Sequence, residues 1–374
     1  MQAIRIHRDR RLRDDPGTGH NRWHPDIPPL LTVRPGETIE VETRDAADGQ
    51  IHGGMTVDDL ARLDGKVGHP LTGPIAIEGA EPGDLLEVEF VDVRAQDYGW
   101  TRIRPGIGLL RDWFDTNFLA HWQMSGGFAR SDQIPGVRIP DSSFMGTAGV
   151  APSHDQMTLW ARREAAWVAQ GGLALLPDAQ DAVPALEPIA GTGLRTMPPR
   201  ENGGNADIKQ LTRGARLQLP VAVPGALFSV GDAHYAQGDS ECCVTAIEMG
   251  ATVQLRFRLF PGRARERNIR LPRFAHDGYF LDPQWAAPRG FLATVGYPIR
   301  EDGSQRGEDL TLAAQNALLE MIQLLGEHGY SREQAYVICS VAVDLRISNA
   351  VDLPNVTVSA LLPTGIFERP LKID

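Results

Sequence analysis

Short runs of alternating apolar and polar residues mark the first half of the chain. Ile39-Glu-Val-Glu-Thr43 follows the turn Arg34-Pro-Gly36, and Leu86-Glu-Val-Glu-Phe90 follows Glu81-Pro-Gly-Asp84. A period of two places one set of side chains on a buried face, so both runs predict half-buried strands. Leu217–Val223, Ala226–Val230, Thr252–Leu259 and Asn355–Leu361 predict four more. Near the C-terminus the period lengthens. Over 309–325, Leu312, Leu319 and Ile322 form a stripe widened by Leu318, Met321 and Leu325, which predicts an amphipathic helix ended by Gly326 or Gly329. Ser331 and Gln334 match a capping box that starts a second helix through Ala335–Ala342, with Cys339 packed in the core. Residues 100–200 show no sustained period, and the Ala/Pro/Gly-rich stretch 174–199 reads as a long surface loop.

This pattern predicts a β-rich α+β protein with multiple β lobes and helices near the C-terminus. A chain of 374 residues exceeds the ~100–200 typical of one domain, so lobes are expected. The approximate divisions are an N-terminal β lobe (1–110), an irregular variable segment (111–200) and a C-terminal α+β lobe (201–374) that carries most of the candidate chemistry. The 39 Gly and 27 Pro favour strands and loops over a helix bundle.

Composition narrows the function classes. Hydrophobic content of 42% and charged content of 23% are those of a globular protein. A net charge of −11 argues against a nucleic-acid surface, which needs clustered cations. No apolar run reaches the ~18–20 residues of a membrane span, and the N-terminus lacks the apolar core of a secretory signal, so a cytoplasmic protein is expected. Cys242, Cys243 and Cys339 do not make a disulfide framework. No phosphate loop or dinucleotide fingerprint occurs. Of 37 basic residues only Lys66, Lys209 and Lys372 are lysine, so a lysine inside a motif carries extra information.

One stretch concentrates reactive groups: "GDAHYAQGDSECC", Gly231 to Cys243, at the end of an apolar strand. Strand geometry puts Asp232 and His234 on one face, and Asp239 and Glu241 on another shared face, around the turn Ala236-Gln-Gly238. Like charges that converge need a cation, a shared proton or a deep-lying base. The same spacing recurs as Asn205, Asp207 and Lys209 behind Gly203-Gly204, and as Asp48, Gln50 and His52 just after Asp45. Three readings stay open: a divalent-metal or acid–base site, a cysteine nucleophile, or ordinary solvated turns. The carboxylate of Glu241 beside Cys243 works against a thiolate. Ser153-His-Asp155 is no triad, because neighbours in sequence diverge in space. His69 is held in reserve, since it precedes the tight turn Pro70–Ile75.

Four stretches carry a resemblance: "VRPGETIEVETRDAADGQI" (33–51), "LTGPIAIEGAEPGDLLEVEF" (71–90), "GGNADIKQLTRGARLQLPVAVPGALFSVGDAHYAQGDSE" (203–241) and "VAVDLRISNAVDLPNVTVSALLP" (341–363). In them the chain resembles the acetamidase/formamidase family of metal-associated amide hydrolases. The resemblance implies a mainly β fold with α+β portions, a homo-oligomer, a divalent metal (zinc or calcium), and hydrolysis of a small linear amide to ammonia and a carboxylate. Ser240 stands where the family usually has Gly, and 110–190 matches poorly, which leaves the substrate open. On this resemblance Asp45, Asp207 and His234 are expected to hold the metal. Glu241 is expected to accept the water proton, Lys209 or Asn205 to stabilise the oxyanion, and Asp239 to orient His234. The alternatives are a non-catalytic metal- or solute-binding module, or an amidohydrolase for a larger amide.

Overall fold

The computed structural model describes residues 1–278, 290–369 and 371; Lys372 lies outside them. Two large sheets carry the core. A six-stranded sheet runs in the order Gln2–Ile4, Thr38–Thr43, Ala251–Phe260, Leu85–Ala95, Arg216–Pro220, Arg273–Ala275. In its strand Ala251–Phe260 the alternation is literal, with Val253, Leu255 and Phe257 buried and the residues between them partly exposed. The second sheet has eleven strands, and its centre is Phe228–His234. Phe228 of this sheet meets Phe257 of the other edge-on, with ring centroids 5.5 Å apart, inside one continuous apolar cluster. Burying a ring of this size contributes about 1.5–3 kcal/mol, which makes this contact between the sheets a main anchor of the fold.

The predicted strands and the two C-terminal helices are present with shifted ends. The helices are Leu310–Glu327 and Arg332–Ala342, the second opened by the Ser331/Gln334 capping box. A three-stranded sheet, in the order Phe291–Gly296, Thr357–Pro363, Asp344–Asn349, packs beside them. The middle segment corrects the expectation of irregular chain. It forms strands Tyr98–Ile103, Phe118–Ser125, Phe128–Arg130, Arg138–Pro140 and Phe144–Gly149, then the helix His154–Ala169. That helix buries only Met157 and Trp160, so its apolar stripe is too thin to read as a period. Ser153 caps it through the Gln156 amide, which accounts for the Ser-His-Asp run. Lobe boundaries at 110 and 200 do not divide the sheets, because the eleven-stranded sheet draws strands from all three segments. Among the described residues no helix is long and apolar enough to cross a membrane.

The central strand Phe228–His234 is buried at every residue. Phe144–Gly149 flanks it on one side; Leu71–Ile77 and Glu248–Met249 share the other. Against it packs His20, from the short strand Gly19–His20. The His20 Nε2 lies 2.7 Å from Ser229 Oγ, and its ring stands edge-on to Trp23.

Burial pushes the His20 imidazole down to about 4, only partly opposed by a backbone bond at Arg22. The unfolded chain titrates this group near 6.5, so below that pH only the unfolded state takes the proton. The contribution of neutral His20 is complete above pH 6.5 and is lost as pH falls toward 4. At ~1.4 kcal/mol per pH unit the loss is about 2–3 kcal/mol. Urea unfolding between pH 7 and 4 should show a decline in stability that His20→Asn flattens by roughly that amount; equal slopes would rule out the assignment.

Candidate functional site

The register of the eleven-stranded sheet assembles the site. His234 pairs across the ladder with Glu248 on one side and Phe144 on the other, and Glu248 also pairs with Trp100. Thr147 lies opposite both Gly231 and Asn205. Between Ala233 and Gly231 the regular pairing skips Asp232, which sits in a left-handed conformation with φ 53°. His69, Asp207 and Glu241 share that conformation, with φ 56°, 49° and 48°. Such residues cost on the order of 1–3 kcal/mol each and persist where surrounding structure fixes them, as at functional sites.

The side chains converge on His234 Nε2. Glu248 Oε2 is 3.1 Å from it, Asp232 Oδ1 3.4 Å and Glu241 Oε1 4.0 Å. On the far side of the ring, Gln237 Oε1 lies 2.9 Å from His234 Nδ1, and the Gln237 amide donates to the Asp207 carbonyl at 2.9 Å. That second bond fixes the amide orientation, so Nδ1 carries the proton and Nε2 faces the carboxylates. His69 Nδ1 holds Asp232 Oδ2 at 3.1 Å. Asn205 donates to Asp207 Oδ2 at 3.1 Å and accepts from Thr147 at 2.5 Å.

Burial would lower His234, but the charges of Glu248 and Asp232 outweigh it and hold the imidazole well above its usual range. Burial lowers His69 too, and Asp232 and its neighbours overcome this to raise it to about 9. Asp207 is pushed up to about 7 by burial and by Asp232. Glu241 is pushed well above the carboxylate range by burial and by Asp207. For Asp232 burial acts upward, yet His69 and His234 hold it well below its ordinary value. Neighbouring acids driven in opposite directions are what acid–base chemistry requires.

Five buried atoms of this cluster lack a hydrogen-bond partner: His69 Nδ1, which has only its ion-pair contact to Asp232, and His234 Nε2, Asp207 Oδ1, Asp232 Oδ1 and Glu248 Oε2. Two groups, Asp207–Asp232–His234 and His234–Glu241–Glu248, each offer three ligand atoms within 4.8 Å of one another. Orphaned carboxylate and imidazole atoms at that spacing fit a divalent cation. A cavity of about 190 Å³ opens onto the cluster, with His69, Asn205, Glu241 and Glu248 in its wall.

Other expected residues stand apart. The Asp45 carboxylate accepts bonds from Ala47 and Gly49 amides at 2.7 and 3.3 Å, closing its own turn rather than joining the cluster. Burial, with the charge of Glu248, pushes it up to about 7. Asp48 holds the Leu12 amide, Gln50 ties to Asp64, and His52 is exposed, so the 45–52 stretch is a structural turn. Lys209 pairs with Asp344 and stands 3.8 Å from Asp239, which also takes a bond from Gln210. The orienting partner of His234 is therefore Gln237, not Asp239. Cys242 and Cys243 are buried thiols pushed up by desolvation, contrary to what a nucleophile needs.

Residues 5–369 match the profile of the acetamidase/formamidase family. The chain belongs to that family. It is 35% identical to the formamidase of Methylophilus methylotrophus, over 99% of this chain and 94% of that one. It is 36% identical to the acetamidase of Mycolicibacterium smegmatis, over 87% of this chain and 86% of the relative. Among solved structures, a gamma lactamase from Delftia acidovorans superposes with a TM-score of 0.94 at 35% identity, covering 100% of this chain and 95% of that one.

Sequence reasoning missed Glu248, Thr147 and Gln237 in this family member. The signal for Glu248 was a lone carboxylate inside the apolar run Ala246-Ile-Glu-Met249. It also missed Gly146, which faces Asp232 across the ladder. A Cβ there would lie 2.5 Å from Asp207 Oδ1 and 2.9 Å from His234 Cε1. Gly146→Ala is therefore expected to cost about 1–3 kcal/mol through overpacking, read as a lower urea midpoint. An unchanged midpoint would mean the cluster has slack.

Proposed function

We propose that the protein is an amidohydrolase that splits a short amide into ammonia and a carboxylate. The observation that carries the proposal is the buried carboxylate–imidazole cluster in the wall of a cavity, in a chain whose relatives include a formamidase and an acetamidase. Glu241 is the proton carrier. It borders the cavity, and its raised affinity for a proton suits it to take one from the attacking water and deliver it to the leaving nitrogen. Asn205 spends one amide hydrogen on Asp207 and has a second for the carbonyl oxygen as negative charge develops there.

A divalent cation would be held by Asp207, Asp232 and His234, with Glu248 beside the same imidazole nitrogen. When bound it supplies a water of lowered pKa and polarises the carbonyl. The imidazole in the donor set favours zinc over calcium. His69 positions Asp232, and Gln237 fixes the tautomer of His234. Lys209 and Asp239 act at one remove, by tying the loop that carries Glu241 to Asp344. Asp45 stays outside the ligand set and contributes only through its charge.

A homo-oligomer in a reducing, cytoplasmic setting completes the proposal. The exposed Phe291 and Val295 on the outer face of the three-stranded sheet, and three unpaired thiols, are its support. The cavity has room beyond formamide, and the gamma lactamase relative favours including larger amides in the assay.

Purified protein should release ammonia from at least one of formamide, acetamide and propionamide, lose this with a chelator, and regain it with zinc. Glu241→Gln should lower kcat roughly 10²–10⁴-fold while elemental analysis finds the metal retained. No ammonia from these three or from any larger amide tested, or a fully active Glu241→Gln, would sink the proposal.

A further inference from the structure

The cavity has a charged wall that the hydrolytic cluster does not use. Trp100 and Arg102 belong to the strand Tyr98–Ile103, Arg104 follows it, and all three line the cavity. Alternate residues of an extended segment share a face, so they form one row. The row starts beside the cluster, where Trp100 pairs with Glu248, and ends at the mouth. Trp100 is buried, Arg102 half-buried and Arg104 exposed. The Arg102 guanidinium stands 5.8 Å from the Trp100 ring centroid.

Among the described residues, neither guanidinium forms an ion pair or a side-chain hydrogen bond. Asp64, on the same wall, is 3.8 Å from Arg11. Burial and the neighbouring charge of Arg104 weigh against the Arg102 cation, and the charge of Glu248 offsets them only in part. A half-buried cation with no direct ion pair is stabilised further by a ligand that supplies one. The guanidinium fork matches a carboxylate with two parallel bonds.

We propose that this row is an anion subsite, and that the substrate is a short aliphatic amide whose far end carries a carboxylate. The inference rests on the amidohydrolase reading. Two residues along a strand span about 6.6 Å, so an amide beside Glu248 and a carboxylate at Arg102 and Arg104 are joined by a short spacer, as in succinamate or glutaramate. In the reaction the oxygen of water bonds to the amide carbon and the carbon–nitrogen bond breaks. Ammonia leaves with the proton carried by Glu241, and a dicarboxylate remains.

The test compares succinamate with butyramide, which has a similar length and no charge, by ammonia release from wild type, Arg102→Gln and Arg104→Gln. Wild type should show kcat/KM at least roughly 10-fold higher for succinamate, and the ratio should collapse by a similar factor in either variant, mainly through KM. High salt should narrow the ratio. Arg104 is exposed, so its variant keeps the test valid if Arg102→Gln misfolds. Calorimetric binding of succinate against butyrate, in wild type and Arg104→Gln, reads the subsite without turnover. Butyramide as good a substrate as succinamate, an equal kcat loss for both amides in Arg102→Gln, or equal binding of the two acids overturns the subsite. Ammonia from butyramide without a preference sinks only the subsite. Silence from every amide, with succinate still bound tightly through Arg104, sinks only the hydrolase reading.

Discussion

The mutual repulsion of buried carboxylates around His234 is the constraint on which the rest of the structure depends. Asp207, Glu241 and Glu248 approach one imidazole from other segments, and Asp232 from the strand that carries it. Away from water, like charges this close separate unless something rigid holds them. Here the rigidity comes from a strand buried at every residue, ladders on both of its sides, and a second sheet packed against it. Left-handed backbones at His69, Asp207, Asp232 and Glu241 are part of the same arrangement. They aim side chains that a regular strand would send elsewhere, and the two-sheet core supplies the stability that tolerates them.

Regular alternation made the strands legible. In Ala251–Phe260 one face is buried and the other partly exposed, so the sequence shows the period directly. The helix His154–Ala169 was hidden because only Met157 and Trp160 are buried, although its Ser153/Gln156 capping box stood in plain sight. The central strand was cut short because Gly231, Asp232 and His234 look like turn and site chemistry, whereas the ladder skips only Asp232 and resumes at Ala233 and His234.

The site was legible where ligands cluster in sequence. Asn205, Asp207, His234 and Glu241 lie in two stretches with i, i+2 spacing, and the family resemblance covers both. Glu248 arrives through sheet register, which is a long-range property, and His69 from the bend before the strand Leu71–Ile77, each from a run with no companion of its own. Asp45 illustrates the opposite error. Its spacing imitates a ligand cluster, yet Asp, Gly and Gln are also the residues of a tight turn, and the backbone amides of Ala47 and Gly49 took the carboxylate.

The loop bearing Glu241 is bolted to the helical part of the chain. Gly238 donates to the Ser340 carbonyl, and any side chain on it would strike the Val343 backbone at 2.2 Å. The Cys243 amide donates to Ser340 Oγ, and Asp344 takes both Lys209 and the Asp239 amide. None of Ser340, Val343 and Asp344 lines the cavity, yet they hold the loop that brings Glu241 to it. On the ribosome, then, the elements around His69 and His234 emerge long before the part that secures Glu241. The bonds that tie down the Glu241 loop therefore need, in part, residues made more than ninety positions after it, and cannot all form until the chain has been made to Asp344.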